Sequence, residues 1–149
     1  MGQADVPASA DGLRVAEREA AIYSKRISWI VCSPLQRAVK TAEAFSCAGG
    51  VCVKSDPLWL ERFWGPYEGR LKSDRPDIGP LVGVEPWEIF QDRIARGLTL
   101  LPCNGEGIVV SHSGVFRALL ALGYQANFAD LLVPHAQPIR LALTTEITA

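Results

Sequence analysis

The sequence predicts an α/β domain, a three-layer sandwich with helices on both faces of a mostly parallel sheet. Helix-like and strand-like segments alternate along the 149 residues in the order α-β-α-β-loop-α-β-α-β, and this alternation is typical of βαβ units. With 48% hydrophobic and 21% charged residues, the composition is that of a globular protein. The length suits one domain, to which we assign residues 1–149.

Capping residues and apolar spacing place the elements of the first half. We expect, in order, a helix over 9–25, a strand over 27–32, a helix over 33–44 and a short strand over 51–53. Ser9 is suited to cap the first helix, and Ser33 with Pro34 resembles an N-cap followed by a proline at the first helical position. Gly49 and Gly50 end the segment that follows.

The second half begins with an irregular segment, residues 55–84, that holds several prolines, glycines and aromatic residues. A loop of this length in a small domain carries function or covers a site, and its aromatic residues should pack. After it we expect a helix over 86–101, a strand over 108–110 that turns into a helix, a helical piece over 128–132 and a last strand over 139–145.

Charge and composition exclude several classes of protein. A formal net charge of −1 argues against general binding to nucleic acid or to a membrane surface. No apolar run approaches the roughly 18 residues of a membrane span, and the N-terminus has no signal-peptide pattern. The four cysteines fit no zinc spacing, so we expect no metal, reduced thiols and a buried Cys32. We expect a cytoplasmic protein.

Gly107–Leu120 is the first stretch that could carry chemistry. Its strand passes through Ser111-His112-Ser113-Gly114 into a helix, and such a turn directs the first N–H groups of the helix toward whatever lies above the sheet edge. An anion-binding site is one interpretation of His112. The other, a histidine that only caps or packs, is the more common case for a lone histidine.

Two further places combine polar residues with strand ends or loops. Arg37 follows the 27–32 strand and could bind an anionic oxygen with its planar guanidinium, or be a solvated helix arginine. Glu61 lies among aromatic residues, and apolar surroundings favour the protonated carboxyl that a general acid needs. Arg62 could bind a second anionic group. Equally, this loop could be structural, with Glu61 paired to a nearby arginine. Together, Arg37, Glu61 and His112 describe a phosphoryl-transfer pocket.

Three motifs resemble signatures of the histidine phosphatase superfamily, the group that includes phosphoglycerate mutases. They are I-V-C-S-P-L-Q-R-A-V-K-T-A-E, L-W-L-E-R-F-W-G-P-Y-E-G and V-V-S-H-S-G-V-F-R-A-L-L, and they occur in the family's order. The resemblance implies a phosphoglycerate mutase-like fold and a phosphorylated small molecule or phosphate as ligand, with no cofactor. Arg37, His112 and Ser113 would bind phosphate, and Glu61 would give a proton to the leaving oxygen. His112 would be the second histidine of the site, and Arg62 would help to hold substrate.

The sequence departs from the family at its defining signature, a strand that ends in Arg-His-Gly and carries the histidine that becomes phosphorylated. That signature should precede residues 2–7, and it does not occur in the sequence. His135 lies where the family has a loop and is not expected to replace it. We therefore expect an N-terminally truncated domain without its first strand and nucleophile, with little hydrolytic activity. Exposed strand edges would favour a homodimer.

Three activities are consistent with these motifs. The first is a phosphomonoesterase that works through a phosphohistidine, as the parent activity. The second is a pseudophosphatase that binds a phosphorylated ligand or partner. The third is a mutase-type phosphotransferase, which the short connection between Gly69 and Glu85 disfavours because it leaves little room for a large lid.

Overall fold

A parallel sheet of three strands positions the candidate site. The computed structural model describes residues 2–70, 81–127 and 134–143. The strands are β1 (Ile27–Cys32), β2 (Val53–Ser55) and β3 (Glu106–Val110), in the order β2-β1-β3. Both pairings of β1 are parallel. The predicted strand over 27–32 is confirmed, whereas β2 lies two residues later than the predicted 51–53.

Four helices cover the two faces of this sheet. They are α1 (Ala10–Tyr23), α2 (Gln36–Gly49), α3 (Trp87–Thr99) and α4 (Ser113–Ala121). Ile30 and Cys32 of β1 pack with residues of α1 and α2, whereas Val31 packs with residues of α3 and α4. This alternation follows from the two-residue period of a strand. It confirms the predicted three layers.

The core on the α3–α4 face contains the largest buried side chains. Its buried members are Val31, Trp59, Phe90, Ile94, Val115, Ala118 and Leu119. Apolar residues at helical spacing within residues 86–101 form the stripe that predicted α3. Two of them, Phe90 and Ile94, are buried in this cluster, and the other three pack against it: Trp87, Leu98 and Leu101. Trp59 is only 1% exposed, so this end of the 55–84 loop packs as expected. Phe63, in contrast, is 44% exposed.

The helix starts show where local sequence determines structure and where it does not. Ser9 caps α1 as predicted, because its Oγ accepts a hydrogen bond from the Gly12 N–H at 3.1 Å. The N-cap assigned to Ser33 is wrong, since α2 begins at Gln36. The carboxylate of Asp5, a residue distant in sequence, accepts the Gln36 N–H at 2.8 Å. The helix ends at Gly49, later than predicted, where Gly50 adopts a left-handed φ of 69°.

An antiparallel pair lies apart from the parallel sheet. β4 (Tyr124–Ala126) pairs with β5 (Leu141–Leu143). β5 falls within the predicted strand over 139–145, but its antiparallel partner was not predicted. Residues 144 and 145, and the predicted helical piece over 128–132, lie outside the described residues.

Three further properties concern the described residues. Cys32 is buried as predicted, and burial raises the pKa of its thiol. All four cysteines are free thiols. Among the helices of the described ranges, none is long and apolar enough to span a membrane.

Phe90 tests how much the α3–α4 core contributes to stability. Phe90→Ala removes a side chain with 0% exposure and should lower the free energy of unfolding by about 3–5 kcal/mol, because it leaves a cavity. The neighbouring Ile89 is 55% exposed, so Ile89→Ala should change the free energy of unfolding by less than about 0.5 kcal/mol. Urea unfolding measures both. Equal losses from the two variants would contradict the assignment of Phe90 to the core.

Candidate functional site

The carboxyl ends of β1 and β3 bring two sequence motifs together. Cys32 pairs with Val110 at the last register position, and the Ser33 N–H donates to the Val110 carbonyl at 2.9 Å. The residues that follow each strand therefore meet at one edge of the sheet. There His112 Nε2 lies 2.8 Å from Ser33 Oγ, and Ser33 has 0% exposure.

His112 is a neutral imidazole at neutral pH. Burial, with the positive charges of Arg37 and Arg93 as lesser causes, lowers its pKa from 6.5 to about 3. A neutral ring has one N–H donor and one acceptor nitrogen. The arrangement therefore provides a fixed hydrogen-bonding group rather than a second cation beside Arg37.

Glu61 is buried, with 9% exposure, and its carboxylate lies against the first turn of α4. One oxygen accepts the Gly114 N–H at 3.0 Å, and the other accepts the Arg62 N–H at 2.8 Å. A Cβ on residue 114 would lie 1.9 Å from the carboxylate, so the close approach requires glycine. The expected apolar setting of this carboxyl is therefore wrong, because its oxygens meet backbone donors.

Arg37 is partly buried and is held by the N-terminal segment, which excludes a fully solvated helix arginine. Its two terminal nitrogens donate to the carbonyls of Gly2 at 2.7 Å and Ala4 at 2.8 Å. Burial lowers the pKa of the guanidinium, while the carboxylates of Glu61, Asp5 and Glu68 oppose this effect. Arginine remains charged under such conditions. A cation is thereby fixed within interaction range of Glu61.

Residues 2–5 connect the motifs through contacts between distant parts of the sequence. Besides the contacts to Arg37, the Gln3 side chain donates to the Glu61 carbonyl at 2.9 Å. The Ala4 N–H donates to the Glu68 carboxylate at 2.8 Å. Gly2 has a φ of 59°, and a Cβ there would lie 2.3 Å from that carboxylate. No local pattern in the sequence signals these distant contacts.

Arg62 lies against the start of α3. Its Nε donates to the Glu85 carbonyl at 2.8 Å. The guanidinium carbon is 4.9 Å from the ring centroid of Trp64 and 5.7 Å from that of Trp87, distances typical of cation–π contacts. Ser113 is exposed at the first position of α4. The substrate-binding role of Arg62 and the phosphate-binding role of Ser113 stay predictions.

Arg93 on α3 is the charged residue that sequence reasoning missed. It forms an ion pair with Glu85 at 2.9 Å, and the two side chains are 14% and 13% exposed. It also donates to the carbonyls of Leu58, Leu60 and Glu61. The sequence contained one signal for this role. Arg93 adjoins Ile94, a buried residue of α3, and a charged side chain close to a buried surface needs hydrogen-bond or ion-pair partners.

These contacts place Arg37, Glu61 and His112 at one edge of the sheet, as the sequence predicted. A cation, a carboxyl group and a neutral imidazole in proximity supply the donors that an anionic phosphate ester needs. Among the described residues, no cluster of three His, Cys, Asp or Glu side chains is placed to hold a metal ion. A groove of about 500 Å³ between α1 and α2 has none of the three residues in its lining.

The lowered pKa of His112 makes stability depend on pH. Between pH 6.5 and about pH 3, His112 is protonated in the unfolded chain but not in the folded chain. The free energy of unfolding therefore falls as the pH falls through this window. From pH 7 to pH 5, His112 should lower the free energy of unfolding by about 2 kcal/mol. Urea unfolding of the native chain and of His112→Gln measures this. An equal pH dependence in both proteins would contradict it.

The sequence model of the histidine phosphatase superfamily (branch 1) matches residues 1–145. The uncharacterized phosphatase PhoE of Bacillus subtilis (strain 168) is 34% identical over 128 residues, which are 80% of this chain and 66% of that protein. An agropine synthesis reductase of Rhizobium rhizogenes is 35% identical over 96 residues, 64% of this chain and 22% of that protein. The chain thus spans less than two thirds of the curated relatives it matches.

Solved structures are similar over most of the chain. TTHB049 from Thermus thermophilus superposes with a TM-score of 0.71 at 29% identity, covering 91% of this chain and 78% of that one. A mycobacterial glucosyl-3-phosphoglycerate phosphatase, Rv2419c, solved with inorganic phosphate, gives a TM-score of 0.69 at 23% identity and covers 91% and 74%. The latter similarity shows the fold alone. From the family match over residues 1–145, the chain belongs to the histidine phosphatase superfamily, branch 1.

Proposed function

We propose that this chain binds phosphomonoesters at the edge formed by β1 and β3, and that it derives from a phosphatase acting through a phosphohistidine. The observation that carries the proposal is the meeting of three motifs at this edge: His112 contacts Ser33 at 2.8 Å, and Glu61 accepts the N–H of Gly114, two residues after His112, at 3.0 Å. Arg37 lies in the first turn of α2, four residues after Ser33. An arginine fork, a neutral imidazole donor and a carboxyl group match the three needs of phosphoryl transfer: charge neutralisation, orientation and a proton for the leaving oxygen.

Each residue has a distinct part in this proposal. Arg37 has five N–H donors. Two of them donate to the carbonyls of Gly2 and Ala4, and the others bind the phosphoryl oxygens. His112, with Ser113 beside it, donates to the phosphoryl group, and Ser33 orients the His112 ring through the 2.8 Å contact. Glu61, in its protonated form, gives a proton to the leaving oxygen and becomes the carboxylate. Arg62 holds the remainder of the substrate.

The attacking group is the second part of the proposal. The sequence contains two histidines, His112 and His135, and we assign neither as the nucleophile. We infer that the 149-residue polypeptide hydrolyses phosphomonoesters slowly or not at all. PhoE of Bacillus subtilis, a relative named as an uncharacterized phosphatase, supports a phosphatase rather than a mutase as the parent.

A pseudophosphatase that holds a phosphorylated ligand is the second candidate. The retained contacts of Arg37 and His112 favour it, because binding needs only these groups and not the attacking histidine. A cytoplasmic location and a homodimer joined through strand edges belong to the same proposal. In both candidates the ligand is a phosphorylated small molecule or phosphate, and no cofactor is used.

Inorganic phosphate tests the binding site. At 100 times its dissociation constant, phosphate should stabilise the native chain by about 2.7 kcal/mol, which raises Tm by roughly 5–10 °C. Arg37→Ala should abolish the rise, whereas Arg96→Ala, a change at an exposed position of α3, should retain it. Thermal unfolding monitored by fluorescence measures all three. Absence of a rise in the native chain contradicts phosphate binding and favours a scaffold in which the motifs are relics.

Turnover of p-nitrophenyl phosphate tests the inferred lack of a nucleophile. The native chain and His112→Ala should both show rates at or near the uncatalysed reaction, since neither supplies an attacking histidine. Release of p-nitrophenol over hours, at micromolar enzyme, is the measurement. Robust turnover that His112→Ala removes would show that this polypeptide is a complete enzyme.

A further inference from the structure

Arg93 binds the backbone of the segment that precedes and includes Glu61. One terminal nitrogen donates to the carbonyls of Leu58 at 2.8 Å and Leu60 at 2.9 Å. The other donates to the Glu61 carbonyl at 3.3 Å. A single guanidinium thus spans three peptide groups of one turn, and its rigid plane fixes their relative orientation.

Glu85 binds the residues on the other side of Glu61. Its carboxylate receives both Nε and a terminal nitrogen of Arg93, at 3.0 and 2.9 Å, and also the Phe63 N–H at 3.1 Å. Its backbone N–H donates to the Phe63 carbonyl at 2.9 Å, and its carbonyl accepts Arg62 Nε. The two partly buried side chains therefore hold residues 58–63 from both sides.

The position of the Glu61 carboxylate depends on that segment. Gly114 is the second residue of α4, where a backbone N–H has no partner within its own helix. Its N–H donates instead to Glu61 at 3.0 Å. The space that a Cβ on residue 114 would fill lies 1.9 Å from a carboxylate oxygen of Glu61, so the carboxylate sits directly against the helix backbone. A shift of residues 58–63 would therefore lengthen the contact between Glu61 and Gly114.

We propose that Arg93 and Glu85 form a positioning pair that sets the Glu61 carboxyl against the first turn of α4. The pair contacts the backbone around Glu61 and not its carboxylate, so it acts through Glu61 and is not itself catalytic. Its consequence for proton donation rests on the proposed function. Its effect on the placement of Glu61 does not.

The chemistry of the pair accounts for an arginine at residue 93. Arg93 makes five hydrogen bonds, two to a carboxylate and three to carbonyls. A lysine ammonium has three donors around one atom and cannot span this width. Arg93→Lys therefore keeps the charge opposite Glu85 but loses the fixed geometry of the 58–63 segment.

The Gly114 amide provides a direct signal of the pair's effect. In Arg93→Lys, hydrogen exchange at Gly114 measured by NMR should accelerate roughly 10-fold or more, because its charge-assisted hydrogen bond is weakened. Its amide proton should also shift upfield, toward the position found in Glu61→Ala, which removes the acceptor altogether. Glu85→Gln, which retains size but not charge, should give the same changes in smaller measure. This second variant decides the outcome if Arg93→Lys does not fold.

A matched amide separates positioning from general loss of stability. The Gly12 N–H lies at the start of α1 and donates to the Ser9 side chain at 3.1 Å. It should keep its native exchange rate in Arg93→Lys and Glu85→Gln, and Arg96→Lys should alter neither glycine. Unchanged exchange at Gly114 in the folded variants would overturn the proposal. Equal acceleration at Gly12 and Gly114 would overturn it as well.

Phosphate binding distinguishes this proposal from the proposed function. Arg93→Lys should retain the rise in Tm with phosphate, because Arg37 and His112 hold the anion, and Arg37→Ala should retain slow exchange at Gly114. If phosphate did not raise the Tm of the native chain, while Arg93→Lys still accelerated exchange at Gly114, only the proposed function would be contradicted. Loss of the phosphate effect in the folded Arg93→Lys variant would contradict the local action of the pair.

Discussion

The parallel pairing of β1 with β3 is the constraint on which the candidate site depends. His112 and Ser33 are separated by 79 positions in the chain and meet because Cys32 and Val110 end their strands in register. A parallel sheet places all its carboxyl ends at one edge, and ligands bind there in α/β folds. A slip of one residue would turn Ile30 and Cys32 away from α1 and α2, so the apolar core and the site enforce the same register.

The buried and partly buried charged side chains at this edge form more hydrogen bonds with backbone atoms than with one another. Glu61 accepts peptide N–H groups, Arg37 donates to peptide carbonyls, and Arg93 bonds to carbonyls and a carboxylate at once. Removing such charges from water is costly unless hydrogen bonds replace the lost hydration. Because most of the replacing atoms belong to the main chain, the side chains are held by the fold itself. The result is a site whose geometry is set before any ligand arrives.

Sequence patterns within a few residues predicted the elements whose positions depend on neighbouring residues. The period of apolar residues located α3, Ser9 located the start of α1, and the run Ile27–Cys32 defined the strand at its observed bounds. Contacts between distant segments were beyond such patterns. The Asp5 carboxylate binds the Gln36 N–H at the start of α2, where a cap at Ser33 was expected. In the sequence Arg93 is only one of several charged residues of an amphipathic helix, and its contacts with residues 58–61 are not visible there. Arg37, Glu61 and His112 were found because their motifs follow strands or lie in a long loop, but the partners that orient them come from elsewhere.

The balance of charge around the site affects how a ligand reaches it. Arg37, Arg62 and Arg93 stand among the carboxylates of Asp5, Glu61, Glu68 and Glu85, so positive charge does not dominate around the site. Long-range steering needs a region of one dominant sign. An anionic ester would therefore find the site by ordinary diffusion, and its association rate would change little with ionic strength. Recognition is left to short-range hydrogen bonds, which select geometry rather than charge.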